Sequence, residues 1–144
     1  MNIHIRPIAP SDYQAVTKLW NHELGNRMVT VQNLEKTLRQ MAEREDYATF
    51  VASDGVQTLG FITTVSVLAA GFPSGYLKIN GLAVDSAFQG KGIGKALVAQ
   101  AEVLARDKGL SFIGLATGFQ RTSAHAFYEK LGFESGSYWY NKML

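Results

Sequence analysis

The sequence predicts a mixed α/β fold, and three features of the chain lead to this prediction. Segments with strand-like alternation are interleaved with segments in which apolar residues recur at helical spacing. Residues 76–84 and 110–117 have strand character and flank a glycine-rich turn and a helix, an arrangement that strongly favours a parallel strand pair with a right-handed crossover. The chain has 144 residues, the size of one compact domain, so we predict a single domain over residues 1–144.

The first third of the chain is predicted to form one strand followed by two helices. Residues 2–8 alternate between apolar and polar side chains, as a strand does when one of its faces is buried. A helix follows over residues 10–24, where Ser11 and Gln14 have the spacing of a capping box. Apolar residues recur at helical spacing over residues 31–45, which predicts a second, amphipathic helix.

The middle of the chain is predicted to form a hairpin and a fourth strand. Residues 47–53 and 56–68 have strand character, and Asp54 and Gly55 between them supply the positive φ angles that a two-residue turn requires. A loop rich in glycine and proline follows the hairpin. Gly81 then lies inside the fourth strand, where a glycine predicts a bulge.

The last third of the chain is predicted to alternate helices and strands. Apolar residues keep helical spacing over residues 93–108, and Gly109 follows where a helix commonly ends. Residues 110–117 are predicted as the fifth strand, residues 123–132 as a fourth helix, and residues 137–144 as a closing strand.

Composition excludes several classes of function. The chain has no cysteine, which rules out disulfides, thiolate zinc sites and a cysteine nucleophile. A net charge of +2 is too small for non-specific electrostatic binding to nucleic acid. No apolar run approaches the roughly 20 residues of a membrane span, and the amino terminus lacks the pattern of a signal peptide. We therefore expect a cytoplasmic protein with no nucleic-acid or membrane partner and, because His4 and His125 lack ligand spacing, no metal.

The turn FQGKGIGKAL, residues 88–97, carries the strongest functional signal. A glycine turn between a strand and a helix suits a phosphate, because the first turn of a helix has unpaired N–H groups and a partial positive charge. A Walker A loop would need glycine in place of Gln89 and serine or threonine in place of Ala96. A dinucleotide fingerprint fails because Lys95 or Leu97 stands where its third glycine is required.

Two blocks of the sequence resemble the GNAT superfamily of N-acyltransferases. The first, LAVDSAFQGKGIGKALV, is similar to the acetyl-CoA signature of that family, and the second, SAHAFYEKLGF, is similar to its segment after the fifth strand. The order of predicted elements also matches. The resemblance implies a mixed, mostly antiparallel central sheet with helices on both faces, in which a parallel pair of strands four and five splays apart at an acetyl-CoA site.

The resemblance further implies which residues hold the cofactor. Backbone N–H groups of the turn would hold the CoA pyrophosphate, and the fourth strand would pair with the pantetheine arm as if the arm were a further strand. The Leu82 N–H would stabilise the oxyanion that forms during acetyl transfer. The turn residues are Gln89, Gly90, Lys91, Gly92, Ile93, Gly94 and Lys95, and the strand residues are Leu82, Ala83 and Val84.

Tyr128 is the side chain to which the resemblance gives a chemical role. It occupies the position of the tyrosine that donates a proton, or a hydrogen bond, to the departing thiolate. With reference pKa values of about 10 for tyrosine and about 8.5 for a thiol, hydrogen-bond donation is favoured over full proton transfer. The alternative is a core aromatic beside Phe127 and Leu131. Arg121 stands where the family often has a CoA-contacting asparagine, and we retain it as a cofactor-binding candidate.

The fourth strand departs from the family pattern at its catalytic base. Some members carry a carboxylate just before the pantetheine-binding residues, but this chain has Asn80 and Gly81 there, and neither accepts a full proton. We expect Asn80 to hold a water that relays the proton. Glu23 and His22, at the end of the first helix, are alternative bases, and ordinary packing is the competing interpretation of His22.

Three functions follow from these observations. The first is an N-acetyltransferase that acts on a primary amine of a small molecule or peptide through a ternary complex with acetyl-CoA. The second is a transferase for a longer acyl-CoA, and the third is a non-catalytic CoA-binding or interaction module. The sequence does not identify the acceptor. The resemblance implies that helices one and two and the loop over residues 69–75 border its groove, with Trp20, Phe72 and Trp139 as candidates to line it. Homodimer formation, common in the family, is carried as an expectation.

Overall fold

The computed structural model describes residues 2–144 and divides the chain into two compact units. The first extends to Gly114 and contains the first four strands and three helices. The second extends from Leu115 to Leu144 and contains the last helix. The single domain predicted over the whole chain stays a prediction.

Nine regular elements form a five-stranded sheet and four helices. In chain order they are β1 His4–Pro7, α1 Tyr13–Glu23, α2 Val31–Ala42, β2 Tyr47–Ser53, β3 Thr58–Val67, β4 Tyr76–Val84, α3 Ile93–Asp107, β5 Ile113–Leu115 and α4 Thr122–Lys130. The strands lie side by side in chain order, antiparallel from β1 to β4, and β5 runs parallel to β4. The predicted mixed, mostly antiparallel sheet is confirmed.

Helices cover both faces of the sheet in the first unit. Phe61 of β3 lies in a buried cluster with Val16 of α1, so α1 packs on the face to which Phe61 points. A side chain at the neighbouring Gly60 would point to the opposite face, because successive residues of a strand direct their side chains to alternate faces. A Cβ at Gly60 would meet Leu97 of α3 at 3.3 Å, which places α3 on that second face.

A bulge interrupts β4 in the middle of its ladder with β3. Thr63 pairs with Gly81 while its neighbour Thr64 pairs with Ile79, so Asn80 is an extra residue without a partner in β3. One inserted residue reverses the two-residue alternation, and side chains beyond the bulge therefore point to the opposite face from the one they would otherwise take. The bulge predicted from Gly81 is confirmed.

The predicted capping box of Ser11 and Gln14 is wrong. Residues Pro10–Asp12 form a turn of 3-10 helix ahead of α1, and the Ala9 N–H donates to the Asp12 carboxylate over 2.8 Å. Proline fits the first helical position because its missing N–H would have no partner there. The N-cap is therefore Ala9, two residues before the predicted Ser11, and Asp12 reaches back in place of Gln14.

The hairpin is confirmed, but the predicted two-residue turn with positive φ angles at both Asp54 and Gly55 is wrong, because only Gly55 has a positive φ angle. β2 ends at Ser53 and β3 begins at Thr58, and among the described residues only glycines have positive φ, which is 94° at Gly55. The Asp54 carboxylate instead accepts the two N–H groups that follow Gly55, over 2.9 and 2.8 Å. The aspartate stabilises this loop through its side chain.

The predicted closing strand over residues 137–144 is wrong. Residues 133–144 contain neither helix nor strand, and Tyr138, Trp139 and Tyr140 are 72%, 60% and 88% exposed. Aromatic residues favour strands only where they pack on a neighbouring strand, and this segment pairs with no strand in the described part of the chain. The fifth strand is also shorter than its predicted range of 110–117.

Asp12 is a buried carboxylate that joins β1, β3 and the start of α1. It is 1% exposed, forms two hydrogen bonds with Arg6 of 2.7 and 2.9 Å, and accepts the Thr58 hydroxyl over 2.6 Å. Burial by itself raises the pKa of this carboxyl. The hydrogen bonds from Arg6, Thr58 and the Ala9 N–H, together with the charge of Arg6, outweigh it and lower the pKa below its ordinary value.

We expect Asp12→Asn to lower the free energy of unfolding by about 1–3 kcal/mol at neutral pH, because it leaves buried donors without their charged acceptor. The lowered pKa means that the aspartate stabilises the fold above its unfolded-state pKa of about 3.9 and loses that contribution as pH falls through the folded-state value. Denaturant unfolding at several pH values measures both effects. The control is Asp46→Asn, which removes an exposed pair with Arg44. Equal effects of the two substitutions, or a difference that persists in strong acid, would contradict the prediction.

Candidate functional site

The turn between β4 and α3 is open to solvent. Gly90 and Gly92 have φ angles of 77° and 84°, the left-handed conformation that glycine adopts most readily. A Cβ at either residue would meet no atom within 4 Å, so the space outside both glycines is free. Both positions are exposed. A ligand can therefore approach the backbone of this turn directly.

The first turn of α3 offers unpaired donors to that space. Gly92 precedes the helix and has no side chain with which to cap it. The first N–H to bond within the helix is that of Ala96, which donates to the Gly92 carbonyl over 3.0 Å. The three N–H groups before it, on Ile93, Gly94 and Lys95, have no partner within the helix. With the helix dipole and the exposed Lys95 ammonium, they form a site suited to a phosphate group.

The end of β4 presents backbone groups on the side away from β3. The Asp85 N–H donates to β3 over 2.8 Å, whereas the Val84 carbonyl accepts the side chain of Gln89 over 3.0 Å. Because backbone groups alternate in direction along a strand, those of Leu82 and Val84 point away from β3 and those of Ala83 point toward it. Of the three predicted strand residues, Leu82 and Val84 thus have the outward-facing groups.

These outward-facing groups lie on a stretch of β4 that β5 does not accompany. β5 has three residues, and hydrogen bonds join the start of the two strands, from Leu77 N–H to Phe112 C=O over 3.0 Å and from Ser111 N–H to Gly75 C=O over 2.9 Å. Leu82 lies five residues after Leu77 in β4, whereas β5 ends at Leu115, three residues after Phe112. Because the two strands are parallel, β5 ends before it comes level with Leu82. The outward N–H and C=O of Leu82 are therefore free to bind an extended ligand.

Glu23 fixes the position of the segment that leads into the glycine turn. Its carboxylate accepts the Ser86 N–H over 3.1 Å and the Gln89 side-chain amide over 3.4 Å. The same amide donates to the Val84 carbonyl, so α1, the end of β4 and the turn are linked through one side chain. The structure places Glu23 in this structural role, and neither Glu23 nor His22 lines the cavity described next.

A cavity of about 740 Å³ lies between α1, α2 and the face of the sheet that carries Phe61. Asn80 reaches it from the bulge, and the Trp20 ring lies over Gly81, where a Cβ would come within 2.5 Å of the indole. The cavity therefore borders the part of β4 that precedes Leu82. Its lining comprises Ile8, Val16, Trp20, Asn26, Met28, Val29, Asn33, Leu34, Thr37, Leu38, Gln40, Met41, Arg44, Tyr47, Thr49, Phe61, Thr63 and Asn80.

The lining is largely apolar and contains no Asp, Glu or His. Trp20 and Phe61 pack with ring centroids 5.2 Å apart, and the hydroxyls of Thr49 and Thr63 bond to each other over 2.9 Å. Arg44 is the one ionised side chain in the lining, and Asp46 pairs with it over 2.9 Å. No lining side chain can act as a carboxylate or imidazole base.

Sequence reasoning found part of this cavity. Trp20 lies in it as predicted, whereas Phe72 packs against Phe112 with ring centroids 5.0 Å apart and Trp139 lies in the second unit. The apolar side chains of α2 also line the cavity, as expected from the groove that helices one and two were predicted to border, although none of them was named in advance. Their signal was an amphipathic stripe in a helix that has no fully buried residue, because the stripe faces a cavity and not the core.

Arg121 and Tyr128 both belong to the second unit. Arg121 is exposed and directly precedes α4, and Tyr128 lies within that helix. The Tyr128 ring packs against Phe127 and Phe133, with ring centroids 5.1 and 5.5 Å apart. Burial raises the pKa of the Tyr128 hydroxyl, although the charge of Arg121 acts in the opposite direction. The hydroxyl is therefore protonated at neutral pH.

Residues 2–144 contain neither a metal-binding cluster nor a membrane-spanning helix. No group of three or more His, Asp or Glu side chains within that range is arranged to hold a metal ion. No helix within it is long and apolar enough to cross a membrane.

Comparison with known proteins gives the chain a family context. The profile of the acetyltransferase (GNAT) family matches residues 13–133. An uncharacterised N-acetyltransferase of Bacillus subtilis is 27% identical over 97% of this chain and 98% of its own length. Rat N-acetyltransferases 8 and 8B also match, but the matched segments cover only 38% and 43% of those longer proteins.

Solved structures show the same fold. A protein described as a transcriptional regulator from Bacillus halodurans has a TM-score of 0.90 at 23% identity, with 99% of this chain and 100% of that one covered. AAC(6')-Iy, solved with the bisubstrate analogue CoA-S-monomethyl-acetylneamine, has a TM-score of 0.83 at 19% identity and full coverage of both chains. At these identities the likeness shows the fold alone.

The open glycine turn leads to a prediction about CoA binding. Gly92→Val forces a β-branched residue into a left-handed conformation and fills the approach to the donors of α3, so we expect acetyl-CoA to bind at least tenfold more weakly, or about 1.4 kcal/mol. Gly109→Val is the matched control, because Gly109 has a φ of 67° and free space outside it at the other end of α3. Calorimetry on both folded variants measures the difference. An unchanged affinity in the Gly92 variant would remove the turn from the binding site.

Proposed function

Because the chain belongs to the GNAT acetyltransferase family, we propose that it transfers the acetyl group of acetyl-CoA to a primary amine of a small molecule or peptide by direct attack within a ternary complex. The protein is an acyltransferase. The observation that supports this specific reaction is that a glycine turn with unpaired N–H groups, an open strand edge and an apolar cavity lie next to one another within the first unit.

The residues of the turn and of β4 fit a CoA thioester. Residues Gln89 to Lys95 would hold the pyrophosphate through their N–H groups, with Lys91 and Lys95 adding positive charge, and the outward-facing groups of Leu82 and Val84 would pair with the amides of the pantetheine arm. Acetyl-CoA supplies an activated acyl group. The chain's own contribution is to orient that group beside the cavity and to exclude water from it.

In the proposed reaction, a neutral amine attacks the thioester carbonyl. The new C–N bond forms as the C–S bond breaks, one proton of the original ammonium passes to water, and another ends on the CoA sulfur. The Leu82 N–H stabilises the negative charge that develops on the carbonyl oxygen. Its outward direction beside the bulge supports this role, which depends on the backbone and so leaves the side chain of residue 82 unconstrained.

Tyr128 is proposed to donate to the departing sulfur, and Arg121 to contribute to cofactor binding. The support for Tyr128 is its position in the second block that resembles the family, together with its raised pKa, which keeps its hydroxyl available as a donor at neutral pH. The support for Arg121 is its position two residues before that block, where the family often has a CoA-contacting asparagine. A raised pKa also makes complete proton transfer to a thiolate less favourable, so donation of a hydrogen bond is the role that agrees with it.

Removal of the amine proton is assigned to water held near Asn80. Asn80 reaches the cavity from the bulge, and its side chain makes no hydrogen bond within the described residues. The lining offers no carboxylate or imidazole that could serve instead. A water bound to Asn80 and neighbouring carbonyls would carry the proton to solvent. The direct test of the whole reaction is release of free thiol from acetyl-CoA with a panel of amines, together with the mass of the acetylated product.

The role of Tyr128 gives a prediction about turnover. Tyr128→Phe keeps the ring between Phe127 and Phe133 and removes only the hydroxyl, so kcat should fall by about 10²-fold or more while acetyl-CoA affinity changes little. Tyr138→Phe, an exposed tyrosine in the same unit, is the matched control and should behave like the parent protein. Undiminished turnover in the Tyr128 variant would make Tyr128 a packing residue.

The absence of a base in the cavity lining gives a prediction about pH. Without such a base, kcat/KM should rise into the alkaline range and follow the pKa of the acceptor, near 10.4 for an alkyl amine and near 8 for an α-amino group. Asn80→Ala should lower activity modestly, and Glu23→Gln should mainly weaken acetyl-CoA binding, since Glu23 positions the turn. A pH profile shared by both acceptors, with an inflection near neutrality that disappears in Glu23→Gln or His22→Ala, would identify a side-chain base and contradict the prediction.

A further inference from the structure

The charge and shape of the cavity restrict which amines it can accept. Its volume of about 740 Å³ is that of a site for a small organic molecule, and most of its lining is apolar. The rings of Trp20 and Phe61, together with Leu34, Leu38 and Met41 of α2, form this apolar surface. An apolar or aromatic body would fill the cavity with favourable burial.

A second positive charge would find no anionic partner in the lining of the cavity. The acidic side chain nearest in sequence to the α2 stripe, Glu35, is paired with Arg39 and is not part of the lining. Asp46 is also outside the lining, and its carboxylate is already held by two hydrogen bonds from Arg44, of 3.1 and 2.9 Å. A bound dication would therefore find no carboxylate for its distal ammonium, and only neutral amide or hydroxyl groups, apolar side chains and the Arg44 guanidinium would surround it. An unpaired charge in such a setting is strongly unfavourable.

We propose that the acceptor is a monoamine with an apolar, preferentially aromatic body, and that the cavity selects against amines that carry a second positive charge. The inference rests on the acetyl transfer proposed above. Such an acceptor carries only one charge, that of the reacting amine, and it must lose this charge in any case because only a neutral amine can attack. No other charge has to be transferred from water into the cavity. The same lack of carboxylates that removes the catalytic base thus also defines the substrate class.

An isosteric pair of amines tests this selection. Para-ethylbenzylamine and para-xylylenediamine have the same number of heavy atoms and differ only by a methyl group in place of a second ammonium. Binding is measured by Trp20 fluorescence in the CoA-saturated Trp139→Phe variant, since Trp20 and Trp139 are the two tryptophans of the chain. Turnover is measured by thiol release in the parent protein. We expect the monoamine to bind at least tenfold more tightly and to have at least a tenfold higher kcat/KM.

Variants at Leu38 make the test reciprocal. Leu38→Glu places a carboxylate in the lining, and Leu38→Gln is the uncharged control of the same shape. We expect the preference to move toward the diamine by at least tenfold in the first variant and to stay unchanged in the second. Equal binding of the two amines by the parent protein, or the same preference in both Leu38 variants, would overturn the inference. Selective binding without thiol release from any amine would support the ligand class and contradict the proposed acetyl transfer.

Discussion

The arrangement of the site depends on one extra residue in β4. Because Asn80 has no partner in β3, the alternation of β4 changes phase between Ile79 and Gly81. Ala83 then joins the buried cluster under α1, and the backbone groups of Leu82 point outward, away from β3. Gly81 completes the arrangement, since any Cβ there would collide with Trp20. Without the bulge, the outward N–H would belong to a different residue and the cavity would lose Asn80.

The proposed cofactor site consists mainly of backbone groups. Its donors are N–H groups at the start of α3 and along β4, and its glycines act through φ angles that other residues rarely adopt. Side chains contribute by holding these groups in place. Glu23 does so most directly, because its carboxylate links the end of α1 to the segment that enters the turn. The elements on the proposed acceptor side and cofactor side are thus linked by one half-buried carboxylate.

The charges of the molecule are distributed so that the cavity stays without an acid or a base. Asp12 is buried beneath the start of α1 with Arg6 and Thr58, and Asp46 is bound to Arg44. Glu23 is bound to the turn. Each of these three carboxylates thus has a structural partner. In the proposed reaction, the cavity would bind the apolar body of the acceptor and present an amine that is already neutral, so that the rate of acetyl transfer would follow the amine's own pKa.

The sequence by itself determined the features that depend on local periodicity and on glycine. These are α3, its start inside the glycine turn, the bulge at Gly81 and the succession of strands. Tertiary structure decided the features that depend on which surfaces meet. Asp12, and not Ser11 and Gln14, closes the first helical turn, because Arg6 and Thr58 from two strands converge on it. The aromatic-rich segment over residues 137–144 forms no strand, because a strand forms only where the edge of a neighbouring strand is close enough to pair with it. The individual residues of α2 that line the cavity, and the contacts of Glu23 with the turn, could likewise not be predicted from the sequence, since periodicity shows that a helix has an apolar face but not which atoms that face will meet.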